Sequence, residues 1–245
     1  MTTRYLEIRQ GVLSKNDQMA VTLRARLQGA GLLTLNVVSS PGSGKTALLE
    51  RMMGDMRKAG HPVAALVGDL QTDNDAKRLA RSGAPVRQIV TDGMCHLEVE
   101  MITAHLNAWD LDLNTLEFFF IENVGNLVCP TWYDLGEDLR IVLLSVTEGE
   151  DKPLKYPSMF YSADVAIITK IDLAEVCEFD RALAYENILS VRPGIHIFET
   201  SAKKGTGIAK LIEFLVQTRA NKLPTNTSNR SANGLFSPNF LRIAA

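Results

Sequence analysis

The sequence predicts an α/β fold, a mostly parallel sheet flanked by helices, and three observations point there. Short apolar runs recur along the chain without polar alternation, as expected of strands covered on both faces. Stretches with helical periodicity separate them. The first apolar run, 32–38, feeds a Gly-rich loop that ends in Gly44-Lys45-Thr46, where a helix begins.

In chain order, residues 14–29 read as a helix that precedes the sheet. Strands are predicted at 32–38, 63–67, 86–90, 117–121, 141–146, 165–168 and 195–198. After the first strand, Leu48, Leu49, Met52, Met53 and Met56 fall on one helical stripe, and Gly60 ends that helix. The methionines of the stripe read as core. A helix is predicted over 97–109. Leu183, Ile188 and Leu189 mark a later one, and Leu211, Ile212, Phe214 and Leu215 the last. From Leu223 the composition turns to Pro, Thr, Asn and Ser, which predicts a disordered tail.

Composition bounds the function. At 245 residues, with 46% hydrophobic and 22% charged residues, one globular domain with a large core is expected. A net charge of −2 supplies no basic field for nucleic acid. No run of about 18 apolar residues is present, so no membrane span is expected. The start, Met1-Thr2-Thr3-Arg4-Tyr5, does not read as a secretory signal. Three cysteines are too few for a disulfide framework and suit a reducing, cytoplasmic setting.

The loop Ser39-Ser40-Pro41-Gly42-Ser43-Gly44-Lys45-Thr46 has the make-up of a P-loop. Backbone N–H groups of Gly42, Ser43 and Gly44 would cradle phosphate, Lys45 would reach the β/γ-phosphates, and the Thr46 hydroxyl would hold Mg²⁺. Ser39 replaces the usual first Gly. Downstream, Thr169-Lys170-Ile171-Asp172 follows a strand. The Asp172 carboxylate can accept from N1–H and N2–H₂ of guanine, a donor pair that adenine lacks, and the stem of Lys170 can cover the base. Ser201-Ala202 follows the last strand, where a loop could close over the base. In this order the pieces favour GTP over ATP, with a smaller Thr169 at the first position of the familiar Asn-Lys-x-Asp box. The chain thus divides into a helical segment 1–31, a GTPase domain 32–221 and the tail 222–245.

Two acids are expected at strand ends, where parallel sheets form their ligand crevice: Asp69 and Glu122. Glu122-Asn123-Val124-Gly125 is placed like the Asp-x-x-Gly segment of GTPases, with Gly125 as sensor of the γ-phosphate and Glu122 near Mg²⁺. Lys45, Asp69 and Glu122 are the catalytic candidates. No arginine finger is identifiable, so slow hydrolysis is expected.

Cys95, His96 and Cys129 form a second group. Thiolate and imidazole together suit Zn²⁺ or Ni²⁺. The same residues also read as two buried thiols and a surface imidazole, and no C-x-x-C pair decides between the two readings. His61, His105, His196 and Cys177 carry no local signal.

The phosphate loop, Gly68-Asp69, Cys95-His96, the run 121–130 (Ile-Glu-Asn-Val-Gly-Asn-Leu-Val-Cys-Pro) and the run 145–157 (Ser-Val-Thr-Glu-Gly-Glu-Asp-Lys-Pro-Leu-Lys-Tyr-Pro) resemble the HypB family over roughly residues 10–220. These are GTPases that help insert nickel into [NiFe]-hydrogenase. The resemblance implies a P-loop NTPase fold of the SIMIBI class, GTP/GDP with Mg²⁺, and a GTP-dependent homodimer. It also implies Ni²⁺ or Zn²⁺ at the dimer interface on Cys95, His96 and Cys129, and partners such as a HypA-like nickel chaperone. The related UreG urease-maturation GTPases would need His where Thr131 stands. Residues 1–31 hold neither Cys nor His, so no second nickel site is expected there. A GTP-regulated interaction protein without metal is the competing class. A small-molecule kinase is disfavoured by the guanine box.

Overall fold

The computed structural model describes residues 2–69 and 73–222. Helix α1 (Thr2–Gly29) leads into β1 (Leu33–Ser39), α2 (Lys45–Lys58), β2 (Val63–Asp69), α3 (Asn74–Ala80), β3 (Val86–Val90) and α4 (Val99–Asn107). There follow β4 (Phe118–Gly125), β5 (Leu139–Ser145), α5 (Lys152–Lys155), α6 (Pro157–Ser162), β6 (Val165–Thr169), α7 (Arg181–Val191), β7 (His196–Glu199) and α8 (Ile208–Lys222). Among the described residues the strands form one seven-stranded sheet in the order β3-β2-β4-β1-β5-β6-β7. Every pairing is parallel, where a mostly parallel sheet was expected.

The apolar runs behave as continuous strands because both sheet faces are covered. Phe118 and Phe120 point to one face, where they pack with Leu48, Met52 and Met56 of α2 and with Leu211 and Leu215 of α8. Phe119 and Ile121 point to the other, against Leu23 and Leu27 of α1 and Ile102 of α4. Toward β6 that second face is closed by Met159 and Phe160 of α6 and Ile188 of α7.

All seven strands lie where the sequence predicts them, and three helix expectations are corrected. Helix α1 starts at Thr2, well before residue 14. It buries Asn16, Ala20, Leu23 and Leu27, one stripe spaced by three and four residues. Helix α4 begins at Val99, because residues 95–98 are spent turning the chain from the site into the helix. In α7, Ile188 faces the core as expected, but Leu183 and Leu189 are exposed, and Ala184 and Asn187 are buried in their place. Lys222 belongs to α8, and the predicted tail from residue 223 lies outside the described residues. No helix is long and apolar enough to cross a membrane among the described residues.

Candidate nucleotide and metal site

The central strand β1 delivers the phosphate loop to the carboxyl edge of the sheet, where parallel folds place ligands. The loop enters α2 through Gly44, whose φ of 90° is a backbone state that favours glycine. Lys45 and Thr46 open α2. A cleft of about 410 Å³ lies over this turn, lined by residues 39–47 together with Gly68, Asp69, Asp75, Arg78, Val124 and Gly125. A Cβ at Gly125 would stand 3.1 Å from the Pro41 Cα, so the end of β4 packs directly on the phosphate loop.

Glu122 does not follow its strand, as expected, but lies within β4, in register with Val37 and Val67. A strand can carry this acid because its charge is met locally. Thr46 Oγ1 donates to Glu122 Oε1 at 2.7 Å, and Lys45 Nζ stands 3.3 Å from the same oxygen. Burial pushes the Glu122 carboxyl above the usual range, while Lys45 and then Thr46 pull it back. Its second oxygen, Oε2, is buried without a hydrogen-bond partner. A buried carboxylate oxygen lacking a donor, beside a threonine hydroxyl, fits the oxygen-ligand chemistry of Mg²⁺. Asp69 ends β2 and lines the same cleft, as expected. Sequence reasoning missed Asp75 and Arg78 of α3, which also line it. They sit in a polar stretch without motif character, and only the packing of α3 brings them there.

The candidate base pocket, about 210 Å³, is lined by Gly44, Thr169, Lys170, Asp172, Thr200 and Ala202 among others. Lys170 takes a left-handed φ of 58° and donates from Nζ to Gly42 O at 2.8 Å. Such strain in a non-glycine residue is concentrated at functional sites. Ser201 does not line the pocket. It is buried, and its hydroxyl accepts from Lys204 N at 3.0 Å, which shapes the loop carrying Ala202. Thr200 and Lys203 stand in the wall instead. Glu148, given no role within the 145–157 run, accepts from Ser43 Oγ and Ser145 N, both at 3.0 Å, and its other oxygen is 3.3 Å from Lys152 Nζ. A larger groove of about 640 Å³, lined by Trp132, Leu154 and Tyr161, holds no carboxylate, imidazole, thiol or cation. It is not the chemical site.

The fold brings Cys95, His96 and Cys129 together, with their ligand atoms all within 4.8 Å of one another. Cys95 Sγ donates to Cys129 Sγ at 2.8 Å and lies 3.8 Å from His96 Nδ1. The hydrogen bond to Cys129, with burial second, pushes the Cys95 thiol up, and a cation bound there would have to displace its proton. His96 stacks on Tyr133 with ring centres 4.0 Å apart. Its Nε2 lies 3.4 Å from Glu98 Oε1, an ion-pair distance without hydrogen-bond alignment, and Nδ1 faces the thiols. Cys95 is exposed and Cys129 half-buried, which removes the reading as two buried thiols. Cys129 opens a short 3₁₀ turn, Cys129–Trp132, and Trp132 is 52% exposed.

A buried polar chain holds both arms of this cluster. Asn123, next to Glu122, accepts from Leu97 N at 3.3 Å and donates to Asn36 Oδ1 at 3.3 Å. Asn36 donates to Glu137 Oε1 at 3.1 Å, and Arg140 donates to that same oxygen from Nε and Nη2. Arg140 then donates to Thr131 O at 3.0 Å and to Tyr133 O at 2.8 Å, beyond Cys129. The remaining histidines have ordinary roles. His61 meets Glu117, His105 meets the Met101 carbonyl, and His196 packs on Phe214.

The CobW/HypB/UreG nucleotide-binding domain family matches residues 33–199. The hydrogenase maturation factor HypB of Azotobacter vinelandii is 44% identical over 221 residues, 90% of this chain and 72% of that protein. The hydrogenase/urease maturation factor HypB of Helicobacter hepaticus is 41% identical over 222 residues, 90% of each chain. Among solved structures, HypB from Helicobacter pylori in complex with nickel superposes with a TM-score of 0.81 at 41% identity, covering 87% of this chain and 99% of that one. The Aeropyrum pernix signal recognition particle 54 kDa protein in complex with GDP shares the fold at 17% identity and a TM-score of 0.53. With its phosphate loop, its strand-borne Glu122 and its thiol–imidazole cluster in place, the chain belongs to the HypB family of hydrogenase maturation factors.

Proposed function

We propose that the chain is a GTP-hydrolysing metallochaperone that carries nickel toward a [NiFe]-hydrogenase. It would work in the cytoplasm as a GTP-dependent homodimer beside a HypA-like partner. The observation that carries the reading is the run of eight residues from Glu122 to Cys129: within β4, Glu122 meets Lys45 and Thr46 and Gly125 lines the phosphate cleft, and the segment after β4 brings Cys129 to the thiol–imidazole cluster. One segment thus touches both chemistries.

In this reading Lys45 and the loop amides hold the phosphates, Asp172 and Ala202 hold the base, and Thr46, Asp69 and Glu122 would hold Mg²⁺. Bound Mg²⁺ would neutralise phosphate charge. Contact of a γ-phosphate at Gly125 orders the segment that leads to Cys129, and loss of the phosphate releases it. The cargo metal would sit on Cys95, His96 and Cys129. Three side chains fall short of a tetrahedral set, and a two-fold axis would double them.

Nickel and zinc titrations, each with GDP and with a non-hydrolysable GTP analogue, and with mass measurement of the assembly, test the reading. Nucleotide-dependent affinity, a dimer with the analogue, and loss of metal but not nucleotide binding in Cys129→Ala are expected. Equal metal binding by a monomer in every nucleotide state would sink it.

A further inference from the structure

Thr169 ends β6 at the junction of the base pocket and the phosphate loop. Its side chain is buried, and Oγ1 donates to the Ser43 carbonyl at 2.7 Å. A hydroxyl has one hydrogen and a carbonyl can only accept, so that hydrogen is committed to the loop. On the neighbouring strand Ile168 is in register with Glu199, which sets Thr200 beside Thr169. The Thr200 hydroxyl is buried, below the accessible surface of the pocket, and has no hydrogen-bond partner.

If Asp172 takes the N1–N2 edge of guanine, the five-membered ring, bonded through N9 to the sugar and phosphates, lies toward the phosphate loop. That is the side on which Thr169 stands. N7 of that ring is an acceptor and needs a donor. We infer that Thr169 serves the phosphate loop rather than the base, so that this protein selects guanine by its six-membered edge alone and leaves N7 unread. An amide at position 169 would have a second N–H for N7 and a carbonyl for the Thr200 hydroxyl; a hydroxyl cannot supply both. The inference rests on the guanine reading of the pocket.

The test is equilibrium binding of GTP, 7-deaza-GTP and ITP to the full chain. ITP lacks the 2-amino group but keeps N7. Wild type is expected to bind 7-deaza-GTP within about twofold of GTP, and ITP about tenfold more weakly. Thr169→Asn should tighten GTP and open a gap of about five- to tenfold against 7-deaza-GTP. Thr169→Val, which keeps the shape but frees the Ser43 carbonyl, should weaken GTP and 7-deaza-GTP by the same factor. Wild-type preference for GTP over 7-deaza-GTP of tenfold would overturn the inference by showing that a donor faces N7. An unchanged ratio in a folded Thr169→Asn would overturn the placement of residue 169 beside N7. Equal binding of GTP and ITP would instead overturn the guanine reading itself, whatever position 169 does.

Discussion

At the scale of single residues, Lys45 and Glu122 are mutually dependent. Glu122 is 1% exposed and its charge is met by Lys45 and Thr46. Lys45→Ala therefore does two things. It removes the cation proposed to meet phosphate, so phosphate release from GTP should fall at least about a hundredfold, the scale on which one preorganised charge acts in catalysis. It also leaves the carboxylate short of a partner, at a cost of about 1–3 kcal/mol that a thermal melt would register. Near-normal hydrolysis would remove Lys45 from the phosphate site. Asp172→Asn exchanges one acceptor for a donor on the guanine edge and should relax the preference for GTP over xanthosine triphosphate. Unchanged discrimination in a binding assay would take Asp172 out of the base pocket.

At the scale of elements, α1 is held to the sheet by more than its apolar stripe. Arg24 Nη2 donates to Asp134 Oδ1 and Oδ2 at 2.5 and 2.6 Å, and Nε donates to Glu137 O at 3.0 Å. Burial pushes the Asp134 carboxyl up, but the hydrogen bonds from Arg24 and Gly136 outweigh it and hold the group below the usual carboxylate range. A depressed pKa in the folded state stabilises above the unfolded value, about 3.9, and that contribution is lost as pH falls through the folded value. Asp134→Asn should thus cost about 1 kcal/mol near pH 7, allowing for the partial exposure of the pair, and lower the melting temperature by about 2–4 °C. The deficit should shrink toward zero as pH falls through the folded value. A deficit independent of pH would show that packing, not charge, is lost.

The elements also show what the sequence could carry. The strands were legible because burial on both faces makes them continuous apolar runs, and the phosphate loop because its chemistry is local. Glu122 was misplaced by one structural step. Its polarity argues against a strand, and only Lys45 and Thr46, far away in sequence, make it tolerable there. Asp75 and Arg78 were invisible because helix packing rather than spacing brings them to the cleft. Leu183 and Leu189 misled because their apolar side chains face outward in α7. The cysteine–histidine cluster gave residue types but no geometry; its two thiols, 34 positions apart in sequence, meet only when β4 lies beside β2.

At the scale of the whole molecule, the candidate nucleotide cleft and the thiol–imidazole cluster are linked by β4, which lines the cleft at Gly125 and leads on to Cys129. The Asn123–Asn36–Glu137–Arg140 chain binds both arms of the cluster to strands that also carry the phosphate loop and Glu122. A buried polar chain of this kind is costly to break at any member, so it favours discrete arrangements over gradual deformation. The turn Cys129–Trp132 adds a practical consequence, because an indole stands three residues from the thiol proposed to hold metal. The chain has two tryptophans, and the other, Trp109, is packed against the core beside α4. Trp132 is half in water, so its emission follows the position of the turn. In a Trp109→Phe background, nickel or zinc titration should shift or quench the fluorescence in step with binding. The complementary Trp132→Phe protein should bind the same metal almost silently. If instead the silent protein were the one lacking Trp109, the movement would lie at α4, on the Cys95 arm, and the light would report that arm.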